Sequence, residues 1–190
     1  MELFFDTETT GIPRNYNAPV SDVENWPRLV QLGFIVMDGK TSLVETEFII
    51  KPVGFEIPVE TSNIHGITTE KALAEGVSIQ DALGVFCFWV QESETIIGHN
   101  ISFDLSIVGA EFWRLYQNDP FAGKKTVCTM KSSTQFVGIP RSGGFKYPKL
   151  HELYRKLFDK DMGAAHTALQ DIQNTATCYF ELVERGIVVP

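Results

Sequence analysis

Hydrophobic residues along the chain follow two spacings, and their order predicts an α/β fold. Short runs rich in Val, Ile, Leu and Phe predict strands at residues 2–5, 28–37, 42–51, 95–98 and 126–128. Hydrophobic residues three or four positions apart predict helices at residues 78–90, about 100–116, 149–158 and 165–184. The strands come first and then alternate with helices, so we expect a mixed sheet flanked by helices.

Turn signals separate these elements. Asp38-Gly39 is the usual two-residue hairpin signal, and loops are predicted between Pro52 and Pro58 and over residues 138–148. The chain has 190 residues, of which 44% are hydrophobic, and it contains no stretch with the composition of a linker. We therefore expect one domain with a well-buried core over residues 1–190.

Neither a signal peptide nor a membrane span is indicated by the hydrophobic pattern, so we expect a cytoplasmic protein that does not enter a membrane. Cys87, Cys128 and Cys178 are widely scattered and lack the close spacing of zinc ligands. They indicate reduced thiols in hydrophobic surroundings.

Charge is unevenly distributed along the chain. The net charge is −8, yet residues 121–160 carry nine Lys or Arg against two acidic residues. Within that segment Lys124, Lys125, Arg141, Lys146 and Lys149 could follow the phosphates of a single strand, although a solvated basic surface has the same composition.

Two acidic residues lie close to the first predicted strand. Asp6 and Glu8 are separated by one residue, so on a strand both side chains point to the same face. Two neighbouring anions repel each other unless a cation lies between them, which favours a site for a divalent metal. An edge strand with two solvated acidic residues is the alternative.

Two further acidic residues and a histidine follow in the second half of the chain. Asp104 lies in Gly98-His99-Asn100-Ile101-Ser102-Phe103-Asp104, where a predicted strand gives way to a helix capped by Asn100 or Ser102. Asp171 begins the hydrophobic face of the last predicted helix, so it points toward the core and needs a partner or a metal. His166 precedes Asp171 by five residues and is placed at the junction of loop and helix.

These three segments, DTETTG, GHNxxxD and HxxxxD in that order, resemble the three motifs of the DnaQ-like 3′–5′ exonucleases. A Tyr would stand at Thr167 in the related subclass, so the resemblance is to the histidine-containing DEDDh subclass. It implies a ribonuclease H-like fold, with a mixed five-stranded sheet flanked by helices. It also implies that Asp6, Glu8, Asp104 and Asp171 surround two Mg²⁺ or Mn²⁺ ions.

The resemblance further implies a mechanism. Water would attack the terminal phosphodiester of a single-stranded nucleic acid and release a nucleoside 5′-monophosphate, with His166 taking the proton of that water. The pKa of an unperturbed histidine, about 6.5, suits a base at neutral pH.

A set of candidate substrate contacts surrounds these motifs. Hydroxyls or backbone amides of Thr9 and Thr10 could meet the 3′ end, and Asn100 is expected to shape the turn that presents Asp104. Residues 64–67 resemble the family's loop that meets the 3′ nucleotide, which makes Ile64 a platform for a base. His65 and Phe103 are further candidates, although a loop histidine and a core phenylalanine are equally good readings.

Other functions stay open at this point. An endonuclease or integrase of the same fold would lack the last two motifs, and a purely cation-binding acidic surface would leave His166 unexplained. A module that binds nucleic acid without cutting it would have lost one of the five residues, all of which are present.

The cellular role is not determined by the motifs. In DTETTG the chain resembles proofreading subunits of bacterial DNA polymerases, which makes a polymerase subunit one candidate partner. The chain ends at Pro190, soon after the last predicted helix, so we expect the polymerase-binding tail of such subunits to be missing. A homodimer, a stand-alone repair or RNA-processing nuclease, and either DNA or RNA as substrate all remain open.

Overall fold

A computed structural model of the protein describes residues 1–163 and 168–189. The strands it contains are β1 (Glu2–Thr9), β2 (Leu29–Asp38), β3 (Thr41–Ile49), β4 (Thr95–Gly98), β5 (Lys125–Cys128), β6 (Pro140–Arg141) and β7 (Gly144–Phe145). The helices are α1 (Val59–His65), α2 (Thr69–Glu75), α3 (Ile79–Glu92), α4 (Ile101–Tyr116), α5 (Thr129–Val137), α6 (Leu150–Phe158) and α7 (Ala168–Glu184).

The main sheet has five strands in the order β3-β2-β1-β4-β5. The first three strands pair in antiparallel fashion, whereas β4 runs parallel to both β1 and β5. The predicted mixed five-stranded sheet flanked by helices is thereby confirmed. Since β1 and β4 are parallel, with Phe4 beside Ile97, the carboxyl ends of both strands lie at the same edge of the sheet.

Alternation along β1 distributes its side chains between two hydrophobic layers. Leu3 and Phe5 belong to the core shared with α3 and α4, whereas Phe4 packs on the opposite face with α7. Phe4 meets Tyr179 of α7 edge to face, with ring centroids 5.5 Å apart. Asp6 and Glu8, which follow Phe4 at intervals of two residues, continue the α7 face.

Several elements differ from the prediction. β1 extends to Thr9, so the two acidic residues lie within the strand and not beyond its end. Two short helices, α1 and α2, follow the loop between Pro52 and Pro58 and were not predicted, and residues 138–148 contain the small β6–β7 hairpin. Helix α5 was not predicted, because a nine-residue segment rich in Thr and Ser has little helical preference of its own.

The longer helices begin as the sequence indicates. Ser78 caps α3 by accepting a hydrogen bond from the Asp81 backbone N–H at 3.1 Å. At the start of α6 the Glu152 carboxylate accepts one from the Lys149 backbone N–H at 2.7 Å. No helix among the described residues is both long and apolar enough to cross a membrane.

The three cysteines are free thiols. Cys178 is buried in α7, and burial raises the pKa of its thiol to about 12. A thiol with so high a pKa stays protonated at neutral pH and behaves as a small hydrophobic side chain.

Candidate active site

The face of β1 that carries Asp6 and Glu8 is open to α7 because a glycine lies opposite. Gly33 of β2 is the pairing partner of Asp6. A Cβ atom added to Gly33 would lie 2.8 Å from Ile172 Cδ1 and 3.4 Å from the Ala168 Cβ. The missing side chain thus lets the first turn of α7, which contains Asp171, approach the sheet beside Asp6.

Asp104 reaches the same place from the other side of the sheet. It lies in the first turn of α4 and is 3% exposed. Its Oδ1 accepts two hydrogen bonds from Thr7, from the backbone N–H at 3.1 Å and from the hydroxyl at 2.7 Å. Thr7 points away from Asp6 and Glu8 along the strand, and so it holds the carboxylate that α4 supplies.

Electrostatic repulsion links the four predicted acidic residues. Burial, followed by repulsion from Asp104, Glu8 and Asp171, raises the pKa of Asp6 well above its usual range. Burial and repulsion from Asp171 raise the pKa of Glu8 to about 7. Burial raises the pKa of Asp104 to about 7 against the opposing effect of the Thr7 hydrogen bonds. Crowded carboxylates of this kind are unfavourable when ionised unless positive charge is bound among them.

The donor chemistry of this group fits hard divalent cations. Carboxylate oxygens are the ligands that Mg²⁺ and Mn²⁺ prefer. As the side chains stand in residues 1–163 and 168–189, no three Asp, Glu, His or Cys residues are gathered within reach of one ion. The fit therefore rests on the type of donor and on the uncompensated negative charge.

His166, the predicted general base, is one of residues 164–167, which lie outside the part of the chain that the structure describes. Asp171, four residues after that gap, is half-buried in the first turn of α7.

The two threonines after Glu8 form hydrogen bonds with backbone groups. Thr9 is buried, and its hydroxyl donates to the Gly11 carbonyl at 2.7 Å. The Thr10 hydroxyl accepts from the Arg28 N–H at 2.9 Å and retains its own proton for a further partner.

The loop predicted to meet the 3′ nucleotide is the end of α1. Ile64 is 78% exposed, which leaves its side chain available to a base. His65 Nδ1 accepts from the Ile67 N–H at 3.1 Å, and burial lowers the pKa of its imidazole, partly offset by the Thr9 backbone. His65 is therefore a neutral side chain that lies beside β1.

The residues before Asp104 shape the strand-to-helix turn. Asn100 is exposed with a φ of 69°, in the left-handed region, and makes no side-chain cap among the described residues. Such a conformation suits Asn better than most residues. Phe103 is half-buried and packs against the core on the α4 side.

A buried ion-pair network near the site was not predicted from the sequence. Glu111 of α4 is 1% exposed and pairs with Arg28 Nε at 2.8 Å and with Arg114 at 2.9 Å. The Leu29 backbone N–H donates to the same carboxylate at 3.1 Å. The network ties α4 to the start of β2 next to Thr10. Glu111 and Arg114 are three residues apart on α4, but Arg28 and Glu111 are too far apart in sequence for any spacing to reveal their pairing.

The sequence matches one protein family over most of its length. The profile described as Exonuclease, of the RNase T family, matches residues 3–179. No curated protein sequence is significantly similar to the chain.

Solved structures resemble the fold closely. E. coli exonuclease I in complex with a dT13 oligonucleotide superposes with a TM-score of 0.74 at 19% identity, covering 97% of this chain and 41% of that one. A zinc-bound complex of the same enzyme with single-stranded DNA gives 0.74 at 20% identity, covering 97% and 40%. Exonuclease X in complex with 5′-overhanging duplex DNA gives 0.67 at 21% identity, covering 100% and 95%. The chain thus spans about two fifths of the exonuclease I chain and nearly all of the exonuclease X chain.

Family profile and fold agree with the motif resemblance, and the predicted class of enzyme is confirmed at the level of the family. The chain belongs to the RNase T family of exonucleases, in the DnaQ-like group, and has a ribonuclease H-like fold.

Proposed function

We propose that the protein is a metal-dependent 3′–5′ exonuclease that removes nucleoside 5′-monophosphates from single-stranded DNA or RNA. The observation that supports the proposal is the repulsion that Glu8, Asp104 and Asp171, from three elements, exert on the buried Asp6 of β1. The family to which the chain belongs gives that acidic cluster its chemical context.

Divalent cations are the group that this cluster would hold. Bound there, they would supply positive charge to the phosphodiester oxygens as the bond breaks. We assign the central position to Asp6, since the other three carboxylates all raise its pKa. Asp6, Glu8 and Asp171 form the α7 side of the binding set, and Asp104, oriented by Thr7, forms the α4 side.

The remaining chemistry is the movement of a proton. We assign the base that accepts the proton of the attacking water to His166, by its position in the HxxxxD motif. A neutral imidazole is suited to that task near pH 7.

Nucleic acid as the substrate is supported by the structural relatives. Exonuclease I has been solved with single-stranded DNA and exonuclease X with overhanging duplex DNA. On this chain Ile64, with its exposed side chain, would contact the terminal base, and the free hydroxyl proton of Thr10 would face the 3′ end. The roles of Thr9, His65, Asn100 and Phe103 in holding the nucleotide remain predictions.

The test is digestion of end-labelled single-stranded DNA and RNA oligonucleotides in Mg²⁺, Mn²⁺ or EDTA. Asp6→Asn and His166→Ala are compared with the wild type. Asp38→Asn is the matched control, because Asp38 is exposed at the opposite end of β2 from the acidic cluster.

A metal-dependent ladder that shortens from the 3′ end, lost in both variants and kept in the control, is the expected result. Binding of both polymers without cleavage would contradict the proposal and favour a non-cutting module. Cleavage only after addition of a polymerase would favour a proofreading subunit.

A further inference from the structure

A short projecting segment lies next to the acidic cluster and has no part in the function proposed so far. Residues 139–148, called here the aromatic hairpin, contain β6 and β7 joined by a turn at residues 142–143. The Lys146 N–H donates to the Ile139 carbonyl at 3.0 Å, so the pairing continues for one residue beyond β7.

The hairpin exposes two aromatic side chains. Phe145 is 42% exposed and Tyr147 is 56% exposed. Phe145 ends β7, and Tyr147 lies two residues later in the segment that follows the strand. Between them, the Lys146 ammonium pairs with Glu152 at 2.6 Å. Folding alone gives no reason to leave two neighbouring aromatic rings in water.

A hydrogen bond fixes the hairpin beside the acidic cluster. His99, which follows β4, has Nε2 3.0 Å from the carbonyl of Pro148 and Nδ1 3.0 Å from the Thr129 hydroxyl. Pro148 is buried and directly follows Tyr147. Because β4 and β1 end at the same edge of the sheet, this contact holds Tyr147 at the edge that presents Asp6 and Glu8.

Charge around the hairpin favours a polyanion. Arg141 and Lys149 are exposed at either end of it, and neither forms an ion pair with any residue in 1–163 or 168–189. Both belong to the basic segment 121–160 of an otherwise acidic chain. Paired aromatic rings flanked by unpaired cations match the exposed bases and phosphates of a single strand.

We infer that the aromatic hairpin is a second binding platform for single-stranded nucleic acid. Phe145 and Tyr147 stack on bases upstream of the terminal nucleotide, and Arg141 and Lys149 contact the phosphates between them. This inference rests on the proposed exonuclease function, because it assumes that a strand enters the acidic cluster by its 3′ end.

The experiment compares a dinucleotide, too short to reach the hairpin, with a twelve-nucleotide strand. Cleavage of both is measured for the wild type, Phe145→Ala, Tyr147→Ala and Tyr147→Trp. In EDTA, the fluorescence of 2-aminopurine placed at successive positions from the 3′ end reports where a base is stacked. Phe88→Ala is the matched control, because Phe88 is 57% exposed on α3, away from the hairpin.

Each alanine variant is expected to lower kcat/KM for the long strand, relative to the dinucleotide, by roughly 5- to 100-fold, since stacking on one aromatic ring contributes that much affinity. The quenching of 2-aminopurine upstream of the terminal nucleotide should disappear with it. Tyr147→Trp and Phe88→Ala should keep both properties.

An unchanged ratio of long to short cleavage, together with unchanged quenching, would overturn the platform and leave the proposed function standing. If the wild type cleaves neither substrate, the proposed function fails, and the quenching pattern alone decides whether the platform exists.

Discussion

Thr7 orients Asp104, a role that the motif pattern did not indicate. It lies between the two acidic residues of β1, yet its hydroxyl and backbone N–H both donate to Asp104 of α4. Since these hydrogen bonds favour the ionised carboxylate, they oppose the effect of burial on its pKa.

Thr7→Val removes the hydroxyl donor and preserves the shape of the side chain. We expect the pKa of Asp104 to rise and kcat/KM at neutral pH to fall by roughly 10- to 100-fold, the range for a hydrogen bond to a charged group. The acidic limb of the pH–rate profile should move to higher pH. Thr177→Val, whose hydroxyl bonds to a backbone carbonyl on the exposed side of α7, is the control. A lower rate with an unmoved acidic limb would contradict this role.

The acidic cluster should make the stability of the metal-free protein depend on pH. Burial and repulsion raise the pKa of Asp6, Glu8 and Asp104 above the values of the unfolded chain. Between about pH 4 and pH 7 the folded state therefore binds more protons than the unfolded state, and its stability decreases as the pH rises.

Thermal melts in EDTA at pH 5 and pH 8 test this dependence. Replacing Glu8 by Gln removes one titrating group. The difference in Tm between Glu8→Gln and the wild type should therefore be about 3–10 °C more favourable to the variant at pH 8 than at pH 5. Glu92→Gln, at an exposed position of α3, should show no such rise. An equal pH dependence of Tm in the wild type and Glu8→Gln would show that repulsion among the carboxylates does not destabilise the metal-free protein.

At the scale of secondary-structure elements, the site depends on how closely two helices approach the sheet. Gly33 permits the approach of α7, and the Glu111 network fixes α4 against the start of β2. Each contact joins elements that are distant in sequence.

Gly33→Ala tests the approach of α7. The added methyl group would overlap with the end of the Ile172 side chain, and we expect a loss of stability of about 1–3 kcal/mol. Activity should fall as well, because α7 carries Asp171. Gly84→Ala in α3 is the control, since its Cβ would meet no described atom within 4 Å and alanine favours a helix by up to about 1 kcal/mol. Equal Tm values for the two variants would exclude tight packing at Gly33.

Glu111→Gln tests the ion-pair network. Removing the charge leaves Arg28 and the partly buried Arg114 without their anion, and we expect destabilisation by about 3–5 kcal/mol. Glu181→Gln breaks a more exposed pair with Arg185 and should cost less than about 1 kcal/mol. Urea unfolding measures both, and a Glu111→Gln loss no greater than that of the control would contradict a structural role for the network.

For the whole molecule, the separation of charge matters more than the net value of −8. The basic segment 121–160 surrounds the aromatic hairpin, whereas the acidic residues dominate the rest of the chain. A chain with this net charge can still attract a polyanion, because the field near one surface is set by the nearest charges once salt screens the others.

The salt dependence of binding measures this effect. The logarithm of the affinity for single-stranded DNA should fall linearly with the logarithm of salt concentration, and Lys149→Gln should reduce the slope by about 0.7, the value for one phosphate contact. Lys71→Gln, exposed on α2 outside the basic segment, should leave the slope unchanged. A reduced slope for Lys71→Gln and an unchanged slope for Lys149→Gln would show that the nucleic acid binds elsewhere on the surface.

Local signals in the sequence were enough for the main architecture and for naming the acidic residues as candidates. Asp6 and Glu8 are recognisable because a strand places alternate residues on one face, and the long helices follow from their hydrophobic spacing. The short helices α1, α2 and α5 escaped prediction, because segments of seven to nine residues without a clear hydrophobic spacing depend on tertiary packing for their stability. Helix α6 is also nine residues long, but its hydrophobic spacing made it predictable.

The sequence by itself determined the main strands, the longer helices, the family and the candidate catalytic residues, because each depends on residues that lie near one another in the chain. Only the tertiary structure decided which distant residues support them. Thr7 and Asp104 are 97 positions apart, and Arg28 and Glu111 are 83 apart. Contacts over such separations leave no periodic pattern, since they arise from the packing of whole elements against one sheet.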